Sequence, residues 1–319
     1  MKLRFFTLLL FTTFWAKAQL IDNATSYRNI GSNRYFRLHY ENDYFSETDF
    51  YYTQGINLEF VHPVMAKSPL VYLLIRSLTK EMKYGMSVEH LGYTPTSIYH
   101  DEILTNDRPF AAVLFLKTFA IVNDSIHRQR VVSAISTGVI GPGAGGYEMQ
   151  TSIHKAIGDV LPHGWNNQIQ NDFVFNYQLD YEKGILSVPN FLLLSLKVGT
   201  KLGTLNDKVY GGAGLMLGLF ENPFQHFATQ KRAFQVYLYT EPLCNVIGYD
   251  ASLQGGILNR NNPYTISGND INRIVLQGNT GIVFKIKRLN LEYFQSYLAK
   301  EFETGTSHHW GGIRIGWVF

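Results

Sequence analysis

The sequence predicts an all-β chain: a transmembrane antiparallel β-barrel of about 12 strands, with a short helix in a long extracellular loop. Three observations carry that expectation. Segments of about ten residues, alternating apolar and polar side chains, recur along the chain. Aromatic residues make up 14% and charged residues only 17%, a blend that suits aromatic girdles around a lipid-facing wall. The chain ends on Ile313, Ile315, Trp317 and Phe319, all facing one way. No stretch of 18 apolar residues follows the opening segment, so helical spans are not expected. A secreted β-sandwich is the competing fold, because alternation alone does not separate a lipid-facing wall from a core face.

The opening segment has the form of an export signal. Met1-Lys2-Leu3-Arg4 is basic, Phe5 to Trp15 is apolar, and Ala16-Lys17-Ala18 fits a cleavage site before Gln19. Residues 1–18 are thus expected to be a signal peptide, and 19–319 a single barrel domain in a cell outer membrane. Taking Lys2, Arg4 and Lys17 away from the 28 basic residues leaves 25, against 25 acidic ones. A net charge of zero argues against a nucleic-acid partner, and nothing in the sequence indicates a protein partner. The one cysteine, Cys244, cannot form an internal disulfide and reads as a packed or lipid-facing small side chain.

Taken in order, residues 19–33 are polar and show no period. From Tyr35, the side chains Phe36, Leu38 and Tyr40 oppose Arg37, His39 and Glu41, which predicts the first strand. Thr53 to Val61 predicts the second. Ten more are expected at 84–92, 110–121, 130–140, 171–183, 190–203, 208–220, 232–249, 272–287, 289–299 and 311–319. A closed barrel leaves no exposed strand edge in the membrane. Two connections, 93–109 and 141–170, are longer than barrel turns require, and loops of that length are usually functional or disordered.

The second connection holds Gly141-Pro-Gly-Ala-Gly-Gly followed by a helical segment in which Gln150 and His154 share a face. The glycine-rich turn lacks the Gly-Lys-Ser/Thr ending of a phosphate loop. Two readings of His154 stand: a surface histidine and a catalytic base. At the end of the first strand, Asn42-Asp43 is either a turn or a pair of hard oxygen ligands suited to Ca²⁺. There is no His-Glu-x-x-His or cysteine pair to suggest zinc.

Six short motifs occur in order: Asn42-Asp43, Tyr52-Thr53-x-Gly55, Tyr93-Thr-Pro, Asp107-Arg108-Pro-Phe110, Gly141-Pro-x-Ala-Gly-Gly with Gln150 and His154, and Trp165-x-x-Gln168-Ile169. Together they resemble the LpxR-type lipid A 3′-O-deacylases of the outer membrane. The resemblance implies a twelve-stranded barrel and a Ca²⁺-dependent esterase that removes the 3′ acyloxyacyl group from lipid A in lipopolysaccharide. It implies that His154 is the general base, with Thr53 and Gln150 in the catalytic group. Asp43 and Asn42 would be metal ligands. The family's acidic residue shortly after the histidine falls opposite Val160, which brings in the adjacent Asp159 as a metal ligand. The lysine-rich first long loop of the family is here Ser97-Ile-Tyr-His100-Asp-Glu-Ile-Leu, without a lysine. Strict alternation would also put Asn42 and Asp43 on opposite faces of the strand.

Other polar positions have plainer readings beside functional ones. Arg108 is a phosphate contact or a structural salt bridge, and Trp165 is an interfacial anchor or a loop-packing aromatic. His308-His309 is expected in a turn, and Glu221 and Asp250 in loops or the lumen. Two further functions compete: an outer-membrane phospholipase, which would want a serine beside a histidine, and a porin or structural barrel. Twelve strands leave a narrow, filled lumen. Convergence of Asp43 and His154 at the outer rim is the discriminating observation.

Overall fold

Each of the twelve alternating segments forms a strand, and the differences lie at the ends. The computed structural model describes residues 21–46, 50–227 and 232–319. The expected signal peptide lies outside the described residues. The strands are β1 (Tyr35–Asn42), β2 (Tyr51–Val61), β3 (Glu81–Thr94), β4 (Ala111–Asp124), β5 (Gln129–Ile140), β6 (Asp172–Val188), β7 (Leu192–Gly203), β8 (Asn206–Leu219), β9 (Phe234–Asp250), β10 (Ile274–Ile286), β11 (Leu289–Leu298) and β12 (His308–Val318). Each pairs antiparallel with its sequence neighbours, and β1 closes on β12 from Tyr35 opposite Val318 to Asn42 opposite Gly311. Among the described residues no helix is long and apolar enough to cross a membrane, so the strands form the wall.

The alternation explains that wall. Phe36, Leu58, Leu196, Leu238 and Trp317 are exposed on the outside, while Arg37, His39, Glu41, Glu59 and Arg314 are buried inside. A sandwich core would reverse this, with the apolar face hidden and the charged face wet. Cys244 is exposed on β9, as a lipid-facing residue would be. Phe60 and Phe319 stack with ring centroids 5.9 Å apart where β2 and β12 end. One expectation is corrected: His308-His309 is not a turn. Pairing of β12 with β11 already begins at His308 opposite Leu298, and His308 stacks on Trp310 with centroids 5.4 Å apart.

In an antiparallel barrel, connections leaving odd-numbered strands all emerge at one end. Residues 43–46, 95–110, 141–171, 251–273 and 299–307 therefore crowd one rim, and the 141–171 connection carries α1 (Gly146–Ile157). The other end has tight turns at 125–128, 189–191 and 287–288, but also the longer 62–80 connection with two 3₁₀ turns. Sequence periodicity did not single out 62–80 or 251–273.

The lumen is filled from within by the polar stretch that precedes β1. Tyr27 donates to Glu241 (2.5 Å) and Arg28 to Glu292 (2.9 Å), while the Ser26 amide donates to Glu182 (3.0 Å). Asp22 pairs with Lys197, and Lys83 donates to Asn29 (2.8 Å). Arg37 in turn holds the Arg28 carbonyl (2.9 Å). The segment shows no sequence period because its partners lie on β1, β3, β6, β7, β9 and β11, all round the wall. Buried charges persist only when paired and hydrogen-bonded, and here they are.

Candidate active site at the rim

Two local features at the crowded rim turn strand ends into a site. β1 stops at Asn42, and the chain enters a 3₁₀ turn at Asp43. The turn breaks the alternation, so Asn42 and Asp43 line one cleft instead of opposite faces. Asn42 accepts from the Tyr44 amide (2.7 Å), and Asp43 is buried. Across the pair, β2 carries a bulge against β3: Tyr52 opposes Tyr93 and Gln54 opposes Gly92, leaving Thr53 as the extra residue. A bulge re-aims side chains. Here both Thr53 and Gln54 reach the cleft.

The third wall is α1. Gly145 and Gly158 bracket it with φ of 73° and 74°, backbone angles that side chains with a Cβ adopt reluctantly. Gly146 lets the helix sit close, because a Cβ there would come within 2.5 Å of both Trp165 and Ala112. Gln150, Ile153, His154 and Ile157 fall at helical spacing on one face, and all four line the cleft. The space between the walls is about 400 Å³, open on one side, and Asp159 also borders it.

His154 is held by main chain. Its Nδ1 lies 2.6 Å from the Val160 carbonyl oxygen, and the amide of Asp159 donates to the His154 carbonyl (2.9 Å). A carbonyl only accepts, so Nδ1 carries the hydrogen and Nε2 is the basic nitrogen. Asp159 does not hold the ring: its carboxylate accepts from the Val160 amide (2.7 Å). Gln150 is buried, and its Oε1 accepts from the indole of Trp165 (2.7 Å). Trp165 itself packs with Ile98, Phe110, Ala112 and Ala144 beneath the loop.

The structure thus brings together every residue singled out for the site: Asn42, Asp43, Thr53, Gln150, His154 and Asp159. Gln54 was missed. It sits between two motif residues, and nothing in a single sequence announces the bulge that turns it inward. Arg108 is elsewhere and structural: it pairs with Glu301, donates to Ser252 (2.6 Å) and lies over the Tyr93 ring at 4.2 Å. Among the described residues, no three His, Cys, Asp or Glu side chains gather as a metal cluster. Burial, only partly offset by Arg108, pushes the Glu301 carboxyl up to about 7.

A closed twelve-stranded barrel with an apolar outer wall, a filled lumen and a polar cleft between its rim and a loop helix defines the class of outer-membrane barrel proteins. Comparison with known proteins gives the family: residues 4–319 match the model of the outer membrane protein LpxR, and the chain belongs to that family. In structure it is similar to LpxR from Salmonella typhimurium, with a TM-score of 0.74 at 19% identity, over 89% of this chain and 100% of that one. A far weaker likeness, at a TM-score of 0.29 and 9% identity over 90% of this chain and 96% of the other, is to the outer membrane channel DcaP of Acinetobacter baumannii. No curated protein sequence matches.

Proposed function

We propose that this protein is a lipid A deacylase that hydrolyses the ester carrying the 3′-linked acyloxyacyl group, using water activated by His154. The observation that supports it most is the convergence of Asp43, Thr53, Gln150 and His154 on one cleft at the rim, with the imidazole fixed so that Nε2 is basic. Nε2 takes a proton from water, and the water oxygen bonds to the ester carbonyl carbon. The carbon–oxygen bond to the sugar then breaks, and the sugar oxygen recovers the proton from Nε2. A filled lumen offers no path for a porin, and the described residues that line the cleft include a threonine and no serine.

The donor chemistry fits Ca²⁺. Among the described residues that line the cleft are two carboxylates, an asparagine and a threonine hydroxyl, and neither lysine nor arginine. Such hard oxygen donors suit Ca²⁺ and not zinc. Asp43, Asn42 and Thr53 would hold the ion, with Asp159 at the open side. When bound, Ca²⁺ polarises the ester carbonyl.

Mass spectrometry of lipid A from cells with and without the protein tests the reading. The 3′ acyloxyacyl species should disappear on expression, and unchanged lipid A would overturn the assignment. In detergent, chelation should silence the purified protein and added Ca²⁺ restore it. Asp43→Ala should need more Ca²⁺ for half-maximal activity. An activity indifferent to chelators would remove Ca²⁺ from the mechanism while leaving the histidine.

A further inference from the structure

The 62–80 connection, at the end of the barrel away from the cleft, folds back over the outside of the wall. Register pairs Thr118 with Ile135 and Ala120 with Ser133, and alternation turns all four outward on β4 and β5. Elsewhere the outward face is open, as at Leu116 and Phe175, but these four are buried. Val71 and Leu74 cover them, packing on Ala120 and Ile135 with Met82, Tyr84 and Tyr177 at the edge of the patch. The Ile75 amide donates to the Ser133 hydroxyl (2.9 Å). Ser133 and Ala120 are small, which leaves room for the covering segment. The contact lies about 13 Å along the strand from the end of β4.

Backbone lying against a lipid-facing wall has to satisfy its own hydrogen bonds. This segment does so with two 3₁₀ turns, each opened by a proline that has no N–H to place, Pro63 and Pro69. The amides of Met65, Ser68, Val71 and Leu74 each donate to the carbonyl three residues back, at 3.0–3.1 Å. Away from the wall the segment is apolar again: Val64, Tyr72, Leu73, Ile75 and Leu78 are exposed, Leu78 fully. Its Lys and Arg residues are Lys67, Arg76 and Lys80, and it contains no acidic residue. Lys80 pairs with Asp124 (2.8 Å). Among the described residues Lys67 and Arg76 meet no carboxylate, and Arg76 lies over the Tyr72 ring at 4.7 Å. Exposed aromatic and aliphatic side chains beside unpaired cations are the make-up of an element that lies in a membrane interface.

We propose that residues 62–80 are an in-plane membrane foot, whose exposed apolar side chains enter the lipid while Lys67 and Arg76 hold the phosphodiester of an anionic phospholipid. The occupant is lipid because the foot is mounted on the lipid-facing wall and its free charge is of one sign, opposite to that of the headgroup. Long barrel loops lie outside the cell, so this end stands in the inward-facing leaflet and the lipid held here is separate from any molecule in the cleft. The proposal does not rest on the proposed hydrolysis.

Depth and headgroup choice test it separately. In a Cys244→Ser background, a nitroxide on Leu78→Cys senses oxygen, which concentrates in lipid, and a nickel chelate confined to water. In vesicles of phosphatidylethanolamine with phosphatidylglycerol, position 78 should favour oxygen. Ser125→Cys, exposed in the turn between β4 and β5, should favour nickel. A bimane on Leu78→Cys is then quenched with nitroxide-bearing phospholipids. The phosphatidylglycerol form should act at a lower mole fraction than the phosphatidylcholine form, by roughly fivefold for each cation. Lys67→Gln and Arg76→Gln should each remove one such factor, with heat-modifiable migration on gels checking that each barrel has assembled. A label at 78 that favours nickel would place the segment in water and overturn the foot. Shielding from both reagents would mean that a protein covers it, and overturns the foot equally. Equal quenching by the two lipids would overturn the headgroup site.

Discussion

The lumen and the rim cleft hold the same kinds of residue and use them differently. In the lumen, Glu292 accepts from Arg28, Arg314 and Tyr239, and Glu241 accepts from Tyr27 and Asn279. In the cleft, among the described residues, the ring of His154 is hydrogen-bonded through Nδ1, and Nε2 of Gln150 meets no acceptor. The lesson is that buried charge does not mark function here. Most of the barrel's ionisable side chains complete one another and hold the plug segment in place. What marks the cleft is that a histidine, two carboxylates, an asparagine and a threonine border open space at the rim.

That contrast is open to direct attack. His154→Ala should leave the barrel assembled and lower lipid A deacylation by roughly 10²- to 10⁴-fold, the range for losing a general base. Arg28→Ala should do the reverse. Removing one partner from a buried ionic network costs about 3–5 kcal/mol, so unfolding in urea should shift to lower concentration while turnover per folded molecule stays unchanged. If Arg28→Ala abolishes turnover in an assembled barrel, the lumen and the cleft are one functional unit and the distinction fails.

A smaller effect is expected on the outer wall. Leu196 is exposed near the middle of β7, facing outward. Leu196→Arg should reduce insertion into bilayers by about 2–4 kcal/mol if it sits at mid-depth. The measurement is folding efficiency into lipid vesicles, read by gel mobility. Insertion at the wild-type level would show that this face of β7 does not meet the hydrocarbon.

How far the sequence reached follows the same division. The wall was legible because its two environments alternate with the period of the strand itself, so Phe36, Leu38 and Tyr40 against Arg37, His39 and Glu41 declare both faces at once. The candidate cleft was legible only in part: helical spacing puts Gln150 and His154 on one face, whereas Asn42, Asp43, Thr53 and Asp159 were singled out by the family resemblance. Three things were not legible. The plug segment has partners up to 291 residues away, as Asn23 and Arg314 are, and long-range pairing leaves no local pattern. The 3₁₀ turn at Asp43 and the bulge at Thr53 are departures from alternation that only the paired strands enforce. The holder of His154 is a main-chain oxygen at Val160, and no side-chain identity could announce a carbonyl.

The smallest expected effect lies between the two regions, at Glu301 in the connection from β11 to β12. This carboxyl is buried beside Arg108, and burial outweighs the guanidinium, raising it to about 7. In the unfolded chain the same carboxyl returns to the usual carboxylate range. Between that range and about pH 7 the folded protein therefore holds a proton that the unfolded chain has released. Its contribution to stability is fully present below the ordinary carboxylate value and is lost as pH rises through about 7. The urea midpoint of the purified barrel should accordingly fall from pH 5.5 to pH 8. Other groups titrate in that window, so the informative quantity is the difference from Glu301→Gln, which keeps an acceptor for Arg108 and cannot ionise. The variant should show the shallower pH dependence and the higher midpoint at pH 8. Parallel curves for the two proteins would mean that Glu301 is ionised in the folded state throughout, and that the Arg108 pair is a fixed salt bridge like those of the lumen.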